Sequence, residues 1–111
     1  MAWLVRDGQV LASLEVANTR GSRRQGLRGR DGLNGALMLV PCRSIHTFGV
    51  RFGIDVAFVA RDGTVREVLH VSPRRVTRPR PGAGWVLEAE AGAFERWGLA
   101  KGDVVEVSTS E

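Results

Sequence analysis

The chain predicts a mainly β domain of seven or eight short strands with one or two short helices. It is expected to close as a barrel or a two-sheet sandwich. Three observations carry this reading. Several stretches alternate apolar and polar residues with a period of two, as a half-buried strand requires. Asp7-Gly8 and Asp62-Gly63 supply the positive φ angles that tight hairpins need. Glycine is abundant, at 14 of 111 residues, and the length suits one domain spanning 1–111.

Trp3–Val5 reads as a first strand, turned back at Asp7-Gly8. In the second strand Val10, Ala12, Leu14 and Val16 are expected to face inward. Alternation stops in the Arg-rich stretch 18–30, where Asn18, Thr19 or Ser22 can cap a short helix to about Leu27. Residues 31–35 are a loop by composition. Ala36–Val40 is a continuous apolar run closed by Pro41, which suits a strand covered on both faces.

Ile45–Ala60 is the longest alternating stretch. Phe48, Val50, Phe52, Ile54, Val56 and Phe58 fall on one face. Thr47, Gly49, Arg51, Gly53, Asp55 and Ala57 fall on the other. So long a strand is uncommon, so two segments are expected, around 45–48 and 54–60, with a bend at Gly49 or Gly53. Asp62-Gly63 then joins 55–60 to 64–71 in a hairpin. Residues 72–84 carry three Pro, four Arg and two Gly and read as an exposed loop. Trp85–Ala91 is a further strand, 91–97 a helical turn or two ended by Gly98, and 103–108 a last strand.

The formal charge is +4, with 15 Arg against one Lys. That imbalance is what a GC-rich coding sequence produces without a nucleic-acid ligand. The single cysteine, Cys42, excludes an intramolecular disulfide. The N-terminus has no signal-peptide pattern, and no apolar run reaches the ~20 residues of a spanning helix. A cytoplasmic location without a membrane segment is the expectation.

An ordered set of short motifs resembles a known family. The set is RRQGLRGR at Arg23–Arg30, Gly35 before an apolar strand, Ile54-Asp55 with Phe58, and Asp62-Gly63 with Val65. Pro73 before a loop, Val86-Leu87-Glu88 with Ala91-Gly92, and Lys101-Gly102-Asp103-Val104 complete it. In that order they are similar to the prokaryotic family called domain of unknown function 192, over about Val16–Val107. The resemblance implies a compact, mainly β, jelly-roll-like fold and no established activity. Many members of that family carry an export signal or lipid anchor. The usual Trp-Met and Thr of the family's central motif, and its Pro two residues before Asp55, are replaced here by His46-Thr47, Val50 and Gly53.

The candidate site residues follow from the alternation. Thr47, Arg51 and Asp55 share a face with small neighbours, which leaves room for a polar-lined pocket roofed by residues 72–84. The same pattern suits a buried ion pair, with Arg24 as the partner of Asp55. Glu88, between Leu87 and Ala89, poses the same question. Cys42 and His46, four apart, are an alternative reactive pair or the start of a metal site. Two ligands fall short of a closed zinc site, so no metal, cofactor or catalytic residue is assigned. Arg74, Arg75, Arg78 and Arg80 are a nucleic-acid candidate, but no aromatics interleave with them, and a solvated loop is preferred. The function read from these residues is a non-catalytic binding or accessory protein for a small polar ligand or a protein partner. The alternatives are a Cys42/His46 or metal-dependent enzyme, and nucleic-acid contact through residues 74–80.

Overall fold

A computed structural model of the protein describes residues 1–109. Asp7 and Gly8 have φ angles of 50° and 77°, and fold β1 (Ala2–Arg6) back on β2 (Gln9–Ala17). The expected inward face of β2 holds only in part. Leu14 is buried, whereas Val10 and Val16 are 60% and 42% exposed. Val10 lies beside the turn, beyond a register shift between Leu4 and Val5 that breaks the regular pleat.

The connection from β2 to β3 (Ala36–Leu39) is a parallel crossover that carries α1 (Arg20–Gln25). Thr19 caps α1. Its hydroxyl accepts the Ser22 N–H at 3.0 Å, and the Ser22 hydroxyl accepts the Thr19 N–H at 3.0 Å. This reciprocal box starts a helix that Gly26 ends within two turns.

The largest correction concerns residues 45–53. No strand forms at 45–48. Only β4 (Ile54–Val59) realises the alternating stretch, and Phe48 is 51% exposed. The backbone of 45–47 bonds instead to 75–77. Thr47 N–H donates to Arg75 O at 2.8 Å and Thr77 N–H to Ile45 O at 2.9 Å. Both faces of β4 are covered, because Ala57 and Val59 are as buried as Val56 and Phe58. The Asp62-Gly63 turn then leads into β5 (Val65–Val71). β6 (Trp85–Glu90), α2 (Ala93–Trp97) and β7 (Glu106–Thr109) complete the order.

All seven strands share one sheet, in the order β5-β4-β6-β3-β2-β1-β7. The mainly β class with two short helices is as expected. The sheet stays open, yet its edges approach. The segment before β7 bonds to the start of β5 through Val65 N–H to Asp103 O at 2.8 Å and Val105 N–H to Gly63 O at 2.9 Å. Gly63 is required at this corner. Its φ is 95°, and a Cβ there would collide with Val105 O. No helix among the described residues is long and apolar enough to cross a membrane.

Two apolar clusters lie on opposite faces of the sheet. Ala57, Val59, Trp85, Leu87 and Ala89 pack with α2 through Phe94, and with Leu4 of β1. Val56, Phe58, Val86, Leu37 and Leu39 pack with Leu27, Leu33, Ile45 and Val50 from the crossover and the 42–53 segment. The second face positions the candidate site.

Candidate functional site

β6 runs through the middle of the sheet, between β4 and β3. Glu88 stands at its centre, opposite Val56 on one side and Leu37 on the other. Alternation from Leu87 and Ala89 turns its carboxyl toward the second cluster. The residue is 4% exposed. Among the described residues its carboxyl has no hydrogen-bond or ion-pair partner. Burial alone pushes its pKa up from 4.5 to about 7. An ionised carboxylate so placed is costly unless something supplies a compensating group.

Above Glu88 lies a cavity of about 300 Å³. Its inner walls are Leu27, Leu39, Ile45 and Val50, all buried. Its mouth is formed by the end of α1, the residues that follow it and the segment after β3. The short helix places Arg23 and Arg24 in its last turn, and Arg28 follows one residue after the anchoring Leu27. Arg23 is half-buried and donates to Val40 O at 3.4 Å. Arg24 and Arg28 are exposed and, among the described residues, carry no ion pair.

Cys42 and His46 line the same cavity. The Cys42 thiol donates to Ser44 O at 3.1 Å, and no hydrogen bond joins it to His46. Burial pushes the thiol up, backbone hydrogen bonding at Ser44 opposes the rise in part, and the nearby Glu88 and Arg23 charges act more weakly in opposite senses, Glu88 upward and Arg23 downward. A nucleophilic pair requires the opposite shift. His46 is exposed and lies against Phe48, with ring centroids 5.7 Å apart.

The structure thus gathers Arg24, Glu88, Cys42 and His46 and disperses the rest of the expected set. Thr47 and Arg51 fall outside β4 because the strand begins only at Ile54. Thr47 is fully buried and clamps the 72–75 turn. Its hydroxyl donates to Ser72 O at 2.7 Å and accepts Arg75 N–H at 2.9 Å. Arg51 pairs with Asp31 at 2.8 Å on the open surface. Asp55 is not the partner of Arg24. It accepts the N–H groups of Gly92 and Phe94, and His70 Nδ1 lies 3.7 Å from its other oxygen. The expected structural ion pair for Glu88 is likewise not formed.

The basic loop is also partly absorbed by the fold. Arg80 pairs with Glu67 at 2.7 Å and lies 4.6 Å from the centre of the Phe58 ring. Arg74, Arg75 and Arg78 are exposed. Sequence reasoning missed Arg23 and Arg28, whose nearness to Glu88 depends on the path of the crossover. The density of Arg around Leu27 was the available signal. Among the described residues no group of three or more His, Cys, Asp or Glu is placed to hold a metal ion.

A buried acid at the floor, apolar walls and guanidinium groups at the mouth suit a small polar molecule.

The fold has close counterparts among solved structures. A protein of unknown function from Novosphingobium aromaticivorans DSM 12444 superimposes with a TM-score of 0.80 at 22% identity, over 95% of this chain and 82% of that one. A protein from Sinorhizobium meliloti 1021, described as a "putative transcription regulator", gives 0.79 at 24% identity, over 96% and 91%. At these identities the likeness carries the fold alone. No curated protein matches the chain. The model of one family, DUF192, described as Uncharacterized ACR, COG1430, matches residues 2–107. That match spans nearly every element described above, from β1 to the start of β7, and the chain belongs to that family.

Proposed function

We propose that the protein is a non-catalytic binding domain that holds a small polar ligand in the cavity over Glu88. One observation carries the reading. Glu88 is 4% exposed and unpartnered at the floor of a cavity whose mouth holds three arginines. No fully buried side-chain oxygen or nitrogen among the described residues lacks a partner, so the Glu88 carboxyl is open to the cavity, where a ligand can meet it. The raised thiol of Cys42 and its bond to Ser44 speak against the enzyme alternative.

The test is a small-molecule screen read by amide NMR shifts, repeated on Ser44→Trp. Ser44 is exposed at the mouth, so the bulky side chain blocks entry without touching the core. Compounds that bind the cavity shift the amides of Leu27, Leu39 and Glu88 in the native protein and not in the variant. No shifts at those amides, or equal binding by Ser44→Trp, overturns the reading.

A second reading, contact with single-stranded nucleic acid, is favoured by Phe48. Its ring is exposed beside His46, Arg28 packs against Gly49, and Arg51, Arg74 and Arg75 line a groove with Gly49. An exposed ring among arginines is what base stacking over a phosphate track uses. It predicts salt-sensitive oligothymidylate binding that Phe48→Ala and Arg74→Ala/Arg75→Ala each weaken. Binding unchanged in both variants, or undetectable at low salt, rejects it.

A further inference from the structure

We infer that the ligand of this cavity is a small zwitterion, with its ammonium group directed to Glu88 and a carboxylate or phosphate held by Arg24 and Arg28. The inference rests on the binding reading above and adds the chemical class. Three features of the site point to it.

The floor calls for a cation or a strong donor. The Glu88 carboxyl is unpartnered, and its neighbours across the strands are Val56 and Leu37. Nothing apolar relieves the cost of its charge, whereas a ligand ammonium at hydrogen-bond distance does.

The mouth calls for an anion. Arg24 and Arg28 are exposed, unpaired among the described residues, and contribute to one rim. Guanidinium groups are suited to bidentate recognition of carboxylate and phosphate.

The two ends do not satisfy each other. None of Arg23, Arg24 and Arg28 forms an ion pair with Glu88. Burial is the sole cause of the rise at Glu88, so no arginine charge reaches it strongly enough to offset that burial. A molecule that satisfies both ends must therefore carry its own separated charges. The apolar walls of Leu27, Leu39, Ile45 and Val50 suit a short methylene chain between them. A volume of about 300 Å³ is at the small end of ligand pockets, which limits the chain length.

Binding of an ammonium also holds Glu88 ionised. Affinity therefore rises with pH as Glu88 loses its proton. The other charged or titratable groups lining the cavity are Cys42, His46, Arg23, Arg24 and Arg28, so the Glu88→Gln variant is needed to assign the effect.

The experiment measures 4-aminobutyrate, 5-aminopentanoate, 6-aminohexanoate and phosphoethanolamine by calorimetry, with pentanoate and pentylamine as half-ligands. At least one zwitterion is expected to bind about tenfold or more tighter than either half-ligand. Glu88→Gln should abolish that margin and its pH dependence. Arg24→Ala/Arg28→Ala should weaken the zwitterion and leave pentylamine unchanged. The carboxylate and phosphate arms identify which anion is preferred. If pentanoate or pentylamine binds as tightly as every zwitterion, or if other screened compounds fill the cavity while no zwitterion does, the zwitterion inference falls and the binding reading stands. If nothing shifts the cavity amides, both fall.

Discussion

Asp55 Oδ2 accepts the backbone N–H of Phe94 at 3.1 Å, so a strand residue caps the first turn of α2 from outside the helix. The same oxygen accepts Gly92 N–H at 3.0 Å. Gly92, at the N-cap position, has no side chain to do this, and the cap is tertiary. The contact ties α2 to the centre of the sheet, on the face opposite the cavity.

Asp55→Ala is therefore expected to lower stability by about 1–2 kcal/mol. Asp55→Asn should retain part of it, since an amide oxygen still accepts. Urea unfolding measures both. Binding at the cavity, read by the NMR screen, should be unchanged in whichever variant remains folded.

Glu88 sets a pH dependence. Its pKa is about 7 in the fold against 4.5 for the free group. Between those values the folded state holds more protons than the unfolded state. Its contribution to stability is complete below about 4.5, is lost as pH rises, and levels off above about 7. The full span corresponds to about 3 kcal/mol. Glu88→Gln should flatten this part of the stability profile and be more stable than the native protein at pH 8. A Glu88→Gln profile with the same slope as the native one between about pH 4.5 and 7 would contradict the burial described for Glu88, whatever Asp62 and Glu67 add to both.

Thr47→Val keeps the shape and removes the hydroxyl that bridges Ser72 O and Arg75 N–H. The expected loss is about 1–2 kcal/mol, because two partly buried backbone groups each lose a partner. Hydrogen exchange should locate the effect, with faster exchange at Arg75 and Thr77 and little change in β6.

The Cys42 thiol should react slowly with a disulfide reagent at neutral pH, since burial and the Glu88 charge disfavour the thiolate. Glu88→Gln removes that charge and should speed the reaction at pH 8. An equal or slower rate in the variant would show that Glu88 does not act on the thiol.

Local chemistry made much of the fold legible. Asp7-Gly8 and Asp62-Gly63 marked their hairpins because positive φ is a property of single residues. Of the three caps the sequence offered for α1, Thr19 is the N-cap and Ser22 completes the box. The apolar run at Ala36–Val40 read as a doubly covered strand, and its first four residues form β3 with all but Met38 buried. The failure at Ile45–Phe52 is also physical. Residues 45–47 pair with 75–77 in an antiparallel bridge at His46 and Val76 and alternate with Ile45 and Thr47 inside, and the turn at Phe48-Gly49, with Gly49 at φ 82°, breaks the phase before β4. Phe48 was thus placed inside and lies outside. At the candidate site, Glu88 stood out as an acid inside an apolar strand. Its lack of a partner did not, because that depends on where residues 18–35 and 42–50 cross the sheet. Arg24 was noticed for the wrong contact, and Arg23 and Arg28 were not singled out.

The parallel crossover has a consequence of its own. The floor of the cavity is a strand hydrogen-bonded on both sides, whereas much of its roof comes from α1 and the residues after it, which belong to no ladder. Changes at Arg23, Arg24 or Arg28 can alter what the cavity accepts without disturbing strand register. The protein thus sets a hydrogen-bonded base beneath a cover that takes no part in its ladder.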